Sequence, residues 1–210
     1  MLRRPAVLAC GAGVALGWLA CVWMKRKRRR RRTINQEATV PFYSEDWTEA
    51  TRCLYDEGMG CENMGPMLYQ IVRFTKARKI LEVGAGFTTI FLLQALNDNM
   101  REVDRVQRRL RERSEWPRLN WIVEDYVNRN FNFGVLRSID NLDHDKTTAH
   151  LTQEVAERLG LSDHLELVNE DAFEYGERLA AEGEEDGELD LLWVDFGDGD
   201  HLERFFASFW

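Results

Sequence analysis

Apolar residues recur every three to four positions over Trp47–Asp56 (WTEATRCLYD) and Gly65–Phe74 (GPMLYQIVRF), the spacing of amphipathic helices, so the folded part of the chain opens with helices. Ile80–Val83 is a short β-rich run that stops at Gly84, and Ile90, Phe91, Leu92, Leu93 and Leu96 then set a helix against a sheet. The stretch 79–96, KILEVGAGFTTIFLLQAL, therefore reads as strand, glycine turn and helix. A separate charged helix is predicted over Asn97–Glu115, where REVDRVQRRLRER has the look of a solvated face. Val135–Ile139 predicts a second strand ending in Asp140, Thr147–Leu159 a helix stopped by Gly160, and Leu165–Val168 a third strand. An acidic loop, Glu182–Glu188, leads into Leu189–Val194 (LDLLWV), a near-continuous apolar run of the kind buried on both faces of a parallel sheet. Strands alternating with helices predict an α/β fold, a Rossmann-like doubly wound parallel sheet of about four strands preceded by helices.

The N-terminal pattern is of another kind. Residues 5–24 (PAVLACGAGVALGWLACVWM) carry no charge, and ~20 residues of helix cross a ~30 Å hydrocarbon core. Eight basic residues, Lys25–Arg32, follow at once, against Arg3 and Arg4 on the other side. The positive-inside bias then puts the rest of the chain in the cytosol. Trp18 and Trp23 suit an interfacial belt, and Gly13 with Gly17 provides a small-residue spacing on which a partner helix, and hence a homodimer, would pack. A polybasic block resists translocation, which disfavours a cleaved secretory signal; a mitochondrial targeting peptide and a basic nuclear signal are the other readings. The expected division is a single-pass membrane anchor over 1–24, a polybasic juxtamembrane segment and linker over 25–40, and a catalytic domain over 41–210.

Charge separates the same regions. Ten of the 28 basic residues lie in the first 36 positions, which contain no acid; the other 18 face all 36 acidic residues, a formal net charge of −18 beyond position 36. So acidic a body repels polyphosphate, which argues against a nucleic-acid partner and for a small, neutral or cationic substrate. The basic block is accounted for by contact with anionic lipid. Cys10 and Cys21 fall in the apolar run, and Cys53 and Cys61 have no Cys or His partners at metal-binding spacing, so the four read as reduced, mostly packed thiols.

Candidate chemistry sits at the predicted strand ends, where ligands of such sheets bind. In Glu82-Val83-Gly84-Ala85-Gly86 the glycines let a ligand approach the backbone and the following helix offers its N-terminus. A bare G-x-G is weak evidence, but position 89 is threonine where a dinucleotide site wants a third glycine. Glu82 suits a ligand with a positive amino group better than a diphosphate. Asp140 is placed for ribose hydroxyls, Asp171 for an adenine amino group with Phe173 against the ring, and Asp195 for the mouth where a substrate meets the cofactor.

On these residues the chain resembles the class I S-adenosylmethionine-dependent methyltransferases, in particular O-methyltransferases of the catechol and caffeoyl-CoA type and related bacterial members. The matching segments are ENMGPMLYQIV (62–72), ILEVGAGFTTIFL (80–92), LRSIDN (136–141), LELVNEDAF (165–173) and LDLLWVDFGDGDHLERF (189–205). The resemblance implies that Gly65, Glu82, Gly84, Ala85, Gly86 and Thr88 surround the methionine part of S-adenosylmethionine, Asp140 and Asn141 the ribose, and Asp171 and Ala172 the adenine. Asp195 matches an aspartate that binds a divalent metal or lies near the methyl acceptor, and it is the expected catalytic residue. Asp198, Asp200 and His201 make too thin a ligand set for a metal to be expected; DFGDGDH otherwise reads as a turn with Asp caps.

Two departures stand out. About 38 residues, Asn97–Gly134, are inserted between the first helix and the second strand, with Trp121, Tyr126, Phe131 and Phe133 forming either a substrate-side lid or a packed subdomain. The family fold also continues through three more strands, so the chain is expected to be C-terminally incomplete, with Leu189–Val194 as an open edge and FFASFW as an apolar tail. The expected function is a membrane-anchored methyltransferase acting on a small-molecule O or N acceptor. The alternatives are a truncated pseudoenzyme acting as a binding module and a nicotinamide-dependent oxidoreductase, for which only Glu102 and Asp104 stand at the acidic spacing.

Overall fold

The structure, a computed structural model, describes residues 39–58, 63–112, 134–145, 147–182, 189–195 and 199–209. The expected anchor 5–24, the basic block 25–32, the aromatic segment Trp121–Phe133 and Asp198 lie outside the described residues. Among the described residues no helix is long and apolar enough to cross a membrane.

Two helices lead in, α1 (Glu45–Thr51), continued by a 3-10 turn Arg52–Leu54, and α2 (Met64–Thr75). Then come β1 (Lys79–Val83), α3 (Phe87–Glu112), β2 (Val135–Asp140), α4 (Ala149–Arg158), a 3-10 turn Ser162–His164, β3 (Leu165–Asn169), α5 (Ala172–Glu182), β4 (Leu191–Val194) and α6 (Gly199–Phe209). All strand pairs are parallel and the order is β3-β2-β1-β4. The order reverses at β1, between β2 and β4, which puts the switch point beyond Val83 and Val194.

Alternation along β1 feeds two cores. Ile80 joins Trp47, Leu68, Val72, Phe91, Leu136 and Leu159, so α1 to α4 cover one face. Leu81 and Val83 join Ile139, Tyr175 and Phe205, so α5 and α6 cover the other. This is the doubly wound arrangement that the alternation of elements predicts.

Two expectations need correcting. The first helix does not stop at Leu96: α3 runs unbroken from Phe87 to Glu112, roughly 39 Å of helix. No Gly or Pro interrupts it, and Asn99, wholly buried, is drawn inward by α2. The Asn99 amide donates to the Val72 carbonyl (3.0 Å), while its oxygen accepts from Arg73 Nη1 (2.6 Å) and Lys76 Nζ (3.2 Å). Lys76, left-handed at φ 59°, closes α2 through its own N–H to the same carbonyl. Glu102 is also less solvated than expected, bridging Arg73 (3.0 Å) and Lys76 (2.8 Å). The insertion between α3 and β2 is thus shorter than the 38 residues expected.

The fourth strand is four residues, each only half-buried, and Leu189 before it is exposed. The reason is positional: among the described residues β4 pairs with β1 alone. Its start is pinned by Asp190, whose Oδ2 accepts from the amides of Arg78 (2.8 Å) and Lys79 (3.0 Å).

Candidate cofactor site at the switch point

Gly84 leaves β1 at φ +95°, a conformation that side chains oppose. A Cβ there would stand 2.9 Å from the carbonyl oxygen of Asp195, so glycine also lets β1 and β4 end side by side. The amide of Gly84 donates to Ile139 O (2.8 Å), that of Asp195 to Val83 O (3.0 Å), and that of Ala85 to Asp140 Oδ2 (3.0 Å). The ends of β1, β2 and β4 are tied together at the turn.

Beneath the turn lies Glu82, with no exposure to solvent. Strand alternation sends it to the same face as Ile80, under the first turn of α3 and beside its register partner Ser138. Its Oε1 accepts from Thr88 Oγ1 (2.8 Å), and its Oε2 from Thr89 Oγ1 (2.7 Å) and Ser138 Oγ (2.8 Å). Burial away from water raises this carboxyl to about 7; the three hydroxyl donors oppose that rise and the charge of Asp195 adds to it.

The other candidates are placed as follows. Asp140 ends β2 half-buried; besides Ala85 it accepts from Leu142 N through Oδ1 (2.7 Å), which holds the next turn with Leu142 at φ 62°. Asn141 is exposed and accepts from Asp143 N (3.2 Å). Asp171 caps α5, its Oδ1 accepting from Phe173 N (2.8 Å) and Glu174 N (3.2 Å), with Ala172 behind it 8% exposed. The register Asp140↔Asn169 and Val83↔Val194 brings Asp140, Asp171 and Asp195 to the same edge of the sheet as Gly84.

Some candidates take roles that the pattern did not announce. Gly65 faces the ring of Phe91, which a Cβ would approach to 2.5 Å, so it lets α2 close onto α3. The Phe173 ring lies under the Arg204 guanidinium (4.5 Å) and edge-on to Phe205 (6.3 Å), packed with α6. Glu82 sits behind the glycine turn, with both oxygens taken by hydroxyls. Thr89, Ser138 and Thr148, whose Oγ1 would be 3.1 Å from a Cβ on Gly86, were not singled out as site residues. For Ser138 and Thr89 the signal was available: period two puts Glu82 on the face that Ser138 shares and the helix start covers. Among the described residues no group of three His, Cys, Asp or Glu side chains is placed to hold a metal; Asp200 and His201 fall in the first turn of α6.

No family model matches the chain, and no curated protein matches it. Solved structures do. A provisionally assigned O-methyltransferase from Klebsiella pneumoniae is similar with a TM-score of 0.50 at 18% identity, over 82% of this chain and 62% of that one. An O-methyltransferase from Bacillus cereus, in complex with SAH, has a TM-score of 0.50 at 17% identity, over 83% of this chain and 63% of its own. The chain therefore has the Rossmann-like fold of the class I O-methyltransferases, and it spans less than two thirds of the length of these two structures.

Proposed function

We propose that this chain is an S-adenosylmethionine-dependent methyltransferase acting on a small-molecule oxygen or nitrogen acceptor. The observation that carries the reading is the set of acidic side chains gathered at one edge of a parallel sheet around a glycine turn. The strand-end segments 82–89, 138–145 and 169–173 contain no Lys or Arg. Such an acceptor set fits a ligand with ribose hydroxyls, an exocyclic amine and positive charge, and does not fit a diphosphate. The Bacillus cereus relative in complex with SAH supports the same ligand class.

In this reading the backbone at Gly84, Ala85 and Gly86 borders the methionine part, with Glu82 and Thr88 holding the turn from behind. Asp140 and Asn141 face the ribose, and Asp171 and Ala172 the adenine. When bound, S-adenosylmethionine supplies a methyl group activated by its sulfonium. The chain's task is then positioning: the acceptor is held in line, and Asp195, at the end of β4 beside the turn, accepts its proton where it has one.

The uncharged run 5–24 with Lys25–Arg32 supports a single-pass anchor with the domain facing the cytosol; a mitochondrial membrane is the alternative address. Retention of the full chain in carbonate-washed membranes, with the domain cleaved by protease added from the cytosolic side, is the expected result. Calorimetric titration of the full chain with S-adenosylhomocysteine tests the cofactor. Saturable heat at a single site is expected, and its absence would overturn the assignment.

A further inference from the structure

A glycine turn that opens into a helix is ordinarily a cradle for phosphate, because its amides point outward and the helix dipole favours an anion. Here the three amides donate inward, Gly84 to Ile139 O (2.8 Å), Ala85 to Asp140 Oδ2 (3.0 Å) and Gly86 to Thr89 Oγ1 (2.8 Å). The last bond is half of a capping box: a side chain in the first turn of α3 reaches back to the amide that precedes the helix. The same hydroxyl passes its proton's bond on to Glu82 Oε2 (2.7 Å), where Ser138 donates as well. When ionised, Glu82 places a negative charge directly behind the N-terminus of α3, the position that a bound phosphate would complement from the front.

We infer that Thr89 and Glu82 together determine which ligand class the turn accepts, by committing to internal bonds the amide and the helix end that a diphosphate would use. The inference rests on the S-adenosylmethionine reading and adds to it the residues that exclude competitors. In G-x-G-x-x-G the third glycine would fall at position 89. A glycine there would free the Gly86 amide and leave Glu82 Oε2 with one hydroxyl donor, Ser138, in place of two. Thr89 closes the route without touching the ligand, so it is a specificity-determining residue rather than a catalytic one. Thr148, from the segment before α4, adds cover at Gly86.

The test is equilibrium binding of S-adenosylhomocysteine and of ADP, the diphosphate probe, to the full chain at pH 8, where Glu82 is ionised. Wild type should bind S-adenosylhomocysteine at least about a hundredfold more tightly than ADP. Thr89→Val, which keeps the shape and removes the hydroxyl, and Glu82→Gln, which removes the charge, should each move that ratio about tenfold or more toward ADP. Thr89→Ser should keep the wild-type ratio. Equal ratios in wild type and in the folded variants overturn the inference, and where Thr89→Val fails to fold, Glu82→Gln decides. Equal affinity of wild type for the two ligands overturns it without any variant. If wild type binds no S-adenosylhomocysteine but Thr89→Val gains ADP, the functional reading falls and the role of Thr89 stands.

Discussion

Val83 and Val194 are register partners on neighbouring parallel strands, yet the ground beyond them differs. Past Val83 the chain is saturated with internal bonds: three turn amides, a buried carboxyl and three hydroxyls each have a protein partner. Beside Val194 the described residues are held by apolar contact instead: β4 is half-buried along its length, and α6 packs through the buried Phe205 and the Arg204–Phe173 contact, with Leu202 and Phe206 about a third exposed. The two sides of the switch point thus differ in kind, hydrogen-bonded at β1 and apolar at β4. The bonds around Glu82 fix the glycine turn in one arrangement, whereas among the described residues the β4 side is joined to α5 and α6 by apolar and ring contacts.

The asymmetry has measurable consequences. Gly84→Val combines a forbidden φ with a Cβ 2.9 Å from Asp195 O, and should cost about 4 kcal/mol in urea denaturation together with S-adenosylhomocysteine binding. Glu82 gives the next effect. Its carboxyl titrates near 7 in the folded chain and near 4.5 when unfolded, so the folded state holds a proton that the unfolded chain releases. The stability it confers is complete below pH 4.5 and fades as pH rises through about 7, a loss of roughly 3 kcal/mol. Unfolding of wild type minus Glu82→Gln at pH 5 and pH 8 isolates it, and parallel pH profiles would refute it. Asp140→Ala takes the acceptor from Ala85 N and Leu142 N and should cost about 2 kcal/mol by the same assay, with weaker ligand binding. At the β4 side, Phe206→Ser removes a ring that is 37% exposed and edge-on to Phe205, and should cost about 1 kcal/mol. A loss above about 3 kcal/mol would show that this face is covered in solution.

The repeating pattern of apolar runs carried most of the fold. Ile80–Val83, Val135–Ile139 and Leu165–Val168 all became strands within a residue of their expected ends, because period and punctuation are local properties. What was not legible depends on partners distant in sequence. Asn97 and Asn99 look like surface residues, but Asn99 is buried because the end of α2 needs its amide and its oxygen. The LDLLWV run is apolar enough for a strand covered on both faces; composition does not reveal that among the described residues β1 alone pairs with it. At the site, the glycine turn and the strand-end acids were visible as residue types. The depth of Glu82 was not, since it follows from three hydroxyls on two different elements.

The central strand has one more consequence, which concerns time. Ile80 pairs with Leu136 and also with Leu191, roughly a hundred residues further along the chain. Parallel pairing at such separation has a large loop-closure cost before any contact repays it, and folds of this kind form slowly. During synthesis, β1 with its buried Glu82 must wait for nearly the whole described chain before its second edge is covered. Until then Leu81 and Val83 lack the cover of Phe205, and an unpaired strand edge is open to chaperones and to aggregation.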